Sequence, residues 1–236
     1  QRQMCIRDSN CRNNGAVNLL CCLKNFILYA IRNEWIEKNP FRYYKMKVDK
    51  TNVKVPLTRE ELDTLLRKPM PNDRLDRIRD VFCFCALTGL AFTDADHLRK
   101  EHITTDEEGT VWIHKPREKT AVMSRVPLLP QAIRILKRYE SDETCKSRGK
   151  LLPVPSNSKM NAYLKELAGI CNIPKNLTTH CARHTFATLA IEYGMHIDII
   201  AKILGHTNTN MTRHDARISE ANISREMRKI GKMLTA

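Results

Sequence analysis

No apolar run among the 236 residues approaches the roughly 20 residues of a membrane span, so no membrane partner is expected. No cysteine pair has zinc-ligand spacing. Of the nine cysteines (5, 11, 21, 22, 83, 85, 145, 171 and 181), Cys21 and Cys22 are adjacent and Cys83 and Cys85 are separated by one residue. Nine is odd, and most of them sit in helical apolar patterns, as buried thiols do. A reducing cytosol is the natural home of such a chain, rather than a disulfide-forming compartment. Internal repeats and low-complexity tracts are missing. Residues 1–12 are polar and without periodicity; they look like a tag, scar or truncated end and stand outside the fold argument.

Acid is also scarce. Asp and Glu number 26 against 40 Lys and Arg, a net charge of +14. An excess of this size suits a polyanionic partner, and nucleic acid is the usual one. It equally suits a soluble protein with well-solvated lysines, so charge alone does not decide. The hydrophobic fraction, 42%, is enough for a real core.

Helical spacing runs through Ala16, Leu19, Leu20, Leu23, Phe26, Ile27, Ala30 and Ile31, and Asn39-Pro40 stops that helix. Lys45 to Pro56 is basic and aperiodic and reads as a linker. Thr58-Arg-Glu-Glu61 is a capping box that opens a short helix. Further helices are predicted from about Arg74 to Leu87, ending at Gly89, and from Thr93 to Arg99. Val111-Trp112-Ile113 and Val122 to Val126 are candidate strands. Pro130 opens a helix to about Tyr139. Helices then follow over Ser156 to Cys171, Thr179 to Tyr193 and His196 to Leu204, with one or two more between Asn208 and Leu234. The expected fold is mainly α with one small antiparallel β-sheet.

Two stretches carry the chemistry. One is Thr179-His-Cys-Ala-Arg183-His184-Thr-Phe-Ala-Thr188. The other is Leu204-Gly205-His206, followed by Met211-Thr-Arg213-His214-Asp215-Ala216-Arg217-Ile218. Arg183 suits a phosphate clamp, because its planar fork matches two oxygens and stays charged. His180 lies one helical turn earlier, on the same face. His180, Cys181 and His184 would also suit a metal on an amphipathic helix, although no Glu follows His180 as a metalloprotease helix requires. Gly205 alone is an ordinary helix cap.

Together these residues resemble the catalytic core of tyrosine recombinases, the phage and transposon integrase family. In that family a helix carries His-x-x-Arg, a second site carries Leu-Gly-His, and a tyrosine follows nine residues after that His. Nine residues after His206 stands Asp215. The resemblance implies that His180 assists proton transfer, that Arg183 and His206 hold the scissile phosphate, and that residue 215 is the nucleophile. Arg117-Glu118-Lys119-Thr120, ahead of Val126-Pro127-Leu128, is similar to the family's β-hairpin lysine motif, with Lys119 as the acid for the leaving oxygen. Thr88-Gly89-Leu90-Ala91 is similar to the segment carrying the family's first catalytic arginine. Position 91 is Ala, while the supporting acid three residues on is present as Asp94. Arg117, expected to share a strand face with Lys119, is a candidate replacement. Arg117, Arg125 and Arg213 are the expected DNA-contacting cations.

The resemblance further implies a catalytic domain over 51–236, preceded at 13–50 by the last helix of an α-helical core-binding domain and a linker. It implies no cofactor and no metal, double-stranded DNA as partner, and self-association in a tetrameric synapse through a helix at about 223–234. The implied setting is a bacterial cytoplasm, at the nucleoid, as the integrase of a mobile element such as a conjugative transposon or prophage. Because the nucleophile position is Asp, cleavage is expected to be impaired. The alternative is a non-catalytic DNA-binding remnant acting as accessory or competitor.

Overall fold

Two compact units divide the chain, residues 1–53 and residues 54–236. The structure is a computed structural model and describes residues 13–47, 49, 55–216, 224, 227 and 228. The expected helix at 223–234 therefore lies almost wholly outside the described residues, as do Arg217 and Ile218.

The first unit is built on helix α1 (Asn13–Arg32). Ala16 and Val17 are buried, whereas Leu19, Leu23, Phe26 and Tyr29 are exposed. The side chains of Asn13 and Asn14 bond the main chain of Lys47 and Asp49, folding the following segment back along the helix. By length and composition α1 is apolar enough to cross a membrane, which corrects the sequence expectation that no such segment exists. The difference arises because Asn18, Lys24 and Asn25 interrupt the apolar run without lowering its average below that of a spanning helix. Core helices of soluble proteins meet the same standard.

The second unit gathers around one helix. Thr58 caps α2 (Arg59–Arg67) through the predicted capping box: its side chain accepts from the Glu61 amide, and Glu61 accepts from the Thr58 amide. Helix α3 (Asp73–Thr88) then runs through the centre, with Phe82 and Phe84 almost wholly buried. Its sequence from Val81 to Thr88 has no polar stripe, the pattern of a helix covered on all sides. After the short α4 (Phe92–Asp96) come a single 3-10 turn (Lys100–His102) and a three-stranded antiparallel sheet: β1 (Ile103–Thr105), β2 (Val111–Pro116) and β3 (Met123–Pro127). Ile113 pairs with Ile103 on one side and Val126 on the other, which puts an apolar row at the sheet's centre. Helices α5 (Pro130–Arg138), α6 (Glu143–Arg148), α7 (Asn157–Ile170), α8 (Thr179–Glu192), α9 (Ile197–Leu204) and α10 (Thr209–Asp215) complete the described fold. The mainly α prediction with a small antiparallel sheet is what the structure shows.

Candidate active site

Two helix ends build the site. Gly89 closes α3 and Gly205 closes α9, both in the left-handed conformation (φ 72° and 61°). The last carbonyls of a helix lack intrahelical partners and carry the negative end of the helix dipole. Here the Arg183 guanidinium collects carbonyls from both ends: Nη1 donates to the Gly89 carbonyl at 2.8 Å and Nη2 to the Leu204 carbonyl at 2.7 Å. Arg183 itself is 7% exposed, on the inner face of α8. Burial, followed by repulsion from the Arg117 charge, pushes its pKa down to about 10, which leaves it charged at neutral pH.

His206 follows Gly205 directly. Its Nε2 lies 2.7 Å from Arg183 Nη2, and its Nδ1 lies 2.8 Å from Thr212 Oγ1. His206 is thereby held between the Arg183 guanidinium and the Thr212 hydroxyl, with Nε2 facing the pocket. Thr212 is fully buried on α10.

Asp215, at the end of α10, points its carboxylate into the same place. Oδ2 is 3.5 Å from Arg183 Nε and 3.4 Å from His206 Nε2, and Oδ1 is 3.6 Å from His184 Nδ1. Burial works to raise this carboxyl's pKa; the contact with His206 and the charges of His184 and Arg183 outweigh it and hold the pKa below the usual carboxylate value. A carboxyl with a lowered folded pKa stabilises above its unfolded pKa, and that contribution is lost as pH falls through the folded value. Asp215 is therefore ionised throughout the neutral range.

Arg117 and Lys119 do not share a strand face, because β2 ends at Pro116 and both residues lie in the turn before β3. Arg117 turns inward. Its Nη1 donates to the Gly205 carbonyl at 3.3 Å and its Nε stands 3.5 Å from Asp94 Oδ2. Among the described residues the buried Nε finds no hydrogen-bond acceptor. Asp94 also accepts from the Glu118 amide at 2.9 Å, so this acid anchors the hairpin turn to α4. Ser124 on β3 donates to the Ile203 carbonyl, tying the hairpin to α9. Ala91 is half-buried at the start of α4 and brings no charge.

Lys119 and His180 are exposed, as are Arg125 and Arg213. The structure thus brings Arg183, His206, Asp215 and Arg117 together, with Asp94 beside Arg117, and leaves the Lys119 and His180 side chains exposed. Cys181 is buried and faces the Val55 carbonyl while His184 faces Asp215, so these two do not form one donor set. Among the described residues no cluster of three or more His, Cys, Asp or Glu is arranged to hold a metal ion. Two contributors escaped the sequence reading: Thr212, which lies three residues before Asp215 on one helix face, and the carbonyls at the two glycine-capped helix ends.

The Phage integrase family profile matches residues 56–222. The chain belongs to the phage integrase family. It is 28% identical over 196 residues to a tyrosine recombinase of Thermosipho africanus, covering 80% of this chain and 66% of that protein. It is 29% identical over 212 residues to the tyrosine recombinase XerA of Pyrococcus furiosus, covering 86% and 70%. The fold matches a Tn1549 transposon integrase solved in complex with circular intermediate DNA, with a TM-score of 0.70 at 20% identity, covering 95% of this chain and 81% of that one. The chain spans about two thirds of the length of the curated relatives it matches.

Gly205 carries a direct prediction for this integrase-family chain. A Cβ there would meet Arg117 Cδ at 2.6 Å and Cγ at 3.0 Å, and a φ of 61° strains any L side chain. Gly205→Ala is expected to cost about 1–3 kcal/mol. Thermal unfolding would show this as a drop of about 2–4 °C per kcal/mol. Adding Arg117→Ala is expected to recover the clash component alone, leaving the backbone strain.

Proposed function

We propose that the chain is the catalytic part of a site-specific DNA recombinase whose phosphate pocket is built and whose nucleophile position is altered. One observation carries this: Arg183, Arg117 and His206 converge on one small volume, and an anion from the chain itself, the Asp215 carboxylate, sits at its edge. Phosphoryl transfer needs cations and donors preorganised around the transferring group. In the strand-exchange reading a residue-215 hydroxyl attacks the scissile phosphorus, a covalent 3′-phosphoryl link forms, and the 5′-oxygen departs with a proton from Lys119. Arg183 and His206 hold the non-bridging oxygens, His180 assists proton transfer, and Arg117 supplies the cation that Ala91 does not. No step requires a divalent metal or cofactor.

The proposed partner is double-stranded DNA, gripped on its backbone by Arg125 and Arg213 as well. Residues 13–50 are assigned to the last helix of a core-binding domain and a linker, and 51–236 to the catalytic domain. Synapsis through the segment at about 223–234 that the sequence reads as helical, into a tetramer on DNA, and a cytoplasmic, nucleoid setting complete the reading. Asp215 and Ala91 together favour a second reading, a DNA-binding remnant that no longer cleaves.

Both readings place a DNA phosphate where Asp215 now competes. Two unit charges about 4 Å apart interact by roughly 4 kcal/mol at a protein surface before salt screening. Asp215→Asn, which keeps the shape and removes the charge, is therefore expected to tighten duplex binding on the order of tenfold at low salt. Fluorescence anisotropy with a labelled duplex across a salt series measures it. Unchanged or weaker binding by the Asn variant would show that DNA phosphate does not enter this pocket.

A further inference from the structure

We propose that His184 is a positioning residue: it fixes the main chain of residue 215, whatever side chain stands there, and so sets where the attacking group emerges beside Arg183. The proposal rests on the strand-exchange reading above and names a residue that reading leaves without a role.

Helix α10 has seven residues, too few to hold itself together without tertiary contacts. Three ties seat it. Ala216, just beyond its end, is buried against Ala187, Ala190, Ile200 and Leu204. Thr212, one turn before residue 215, meets His206. The third tie acts on residue 215 itself: His184 Nδ1 lies 2.9 Å from the Asp215 carbonyl oxygen. A carbonyl only accepts, so Nδ1 carries the proton and donates it. That carbonyl lies in the last turn of α10, where no intrahelical amide reaches it. The carboxylate contact from the same nitrogen is longer, 3.6 Å, so the tie is to the backbone and survives a change of side chain.

His184 is the residue after Arg183 on α8. One helix turn therefore carries both the guanidinium for the phosphate and the clamp on the nucleophile's main chain. The spacing between phosphate ligand and residue 215 is set by a single peptide unit of a rigid helix. Near-attack geometry is unforgiving, since a misplacement of about 1 Å can cost on the order of a hundredfold in rate.

The test compares His184→Gln, His184→Ala and His184→Asn in the full chain. Asn places its amide nitrogen about where Nδ1 lies; Gln places it nearer Nε2. Hydrogen exchange over residues 209–216 is expected to quicken on the order of tenfold in the Gln and Ala variants, with α8 amides unchanged and with Asn restoring protection. In an Asp215→Tyr background, Gln and Ala should slow covalent adduct formation about a hundredfold at unchanged duplex affinity, and Asn should recover it. Unchanged protection of 209–216 in the Gln variant overturns the proposal. Loss of protection across α8 as well as α10 also overturns it, because that marks a general packing role. A Tyr parent that forms no adduct counts against the strand-exchange reading, while the exchange data still decide the role of His184.

Discussion

Asp215→Tyr is expected to turn a chain that forms no covalent link to DNA into one that does. A carboxylate at position 215 fails twice. Its charge repels the phosphodiester it must approach, and the ionised form persists at neutral pH because His206, His184 and Arg183 together outweigh burial. Were it to attack, the product would be an acyl phosphate, which hydrolyses readily. A phenol is neutral at pH 7, with an ordinary pKa near 10, and gives a phosphotyrosyl link that preserves the bond energy for religation. The residue-215 main chain already lies at the pocket, held by the His184 contact, so the new side chain starts from a seated helix. Removing the carboxylate also frees Arg183 and His206 for the phosphate. The measurement uses a nicked suicide substrate, with the original chain and the Tyr variant compared on a denaturing gel. Adduct from the Tyr variant alone identifies Asp215 as the lesion. Adduct from neither, with both binding duplex, shifts the weight to the DNA-binding remnant and to Ala91 as a second defect. Adduct from the original chain would remove the claim that position 215 has lost its function.

Much of the scaffold around this pocket was legible because its signals are local. Thr58 and Glu61 lie three apart and cap one helix; Gly89 and Gly205 stop helices at the left-handed positions the periodicity predicts. Arg183 on α8, His206 after α9 and Asp215 at the end of α10, quoted from two separate stretches, lie within contact of one another. What escaped depends on partners distant in sequence. β1 is only Ile103–Thr105, and its strand character comes from pairing with β2 rather than from its own three residues. α6 is six mostly polar residues with no apolar period, and its cap, Asp142, is legible only once the helix is known. The expected strand face shared by Arg117 and Lys119 fails because β2 ends at Pro116; both residues lie in the turn, and the Arg117 side chain swings onto Gly205. The sequence offers His184 only as a possible metal ligand beside His180 and Cys181, an alternative to the integrase resemblance. The partner of His184 is a main-chain carbonyl 31 residues away, and no side-chain pattern advertises a backbone acceptor.

The second large effect is expected at Arg183. In the Asp215→Tyr background, Arg183→Lys should lower the rate of adduct formation by about a hundred- to a thousandfold, the scale seen when one preorganised donor is removed from a transition-state pocket. Lysine keeps the charge but not the fork. Arg183 uses Nη1 for the Gly89 carbonyl and Nη2 for the Leu204 carbonyl and His206, and that anchoring aims Nε toward the place Asp215 Oδ2 now occupies. A single ammonium can satisfy one of these anchors or face the phosphate, not both. The unsatisfied carbonyls should also destabilise the fold, by roughly 1–3 kcal/mol for each buried acceptor left without a donor. Thermal unfolding of the same variant separates the two effects: a catalytic loss far larger than the loss of folded protein belongs to the pocket. Arg117 provides the internal comparison. Its charge lowers the pKa of Arg183, so the two cations already feel one another, as two ligands of one phosphate must. If Arg117 serves in place of the arginine missing at position 91, Arg117→Ala should cost adduct formation too. The double variant should then fall by less than the product of the single losses, since residues that act as a unit are not additive. Full additivity would place Arg117 outside the reacting site, as an anchor of the hairpin to Gly205 and Asp94.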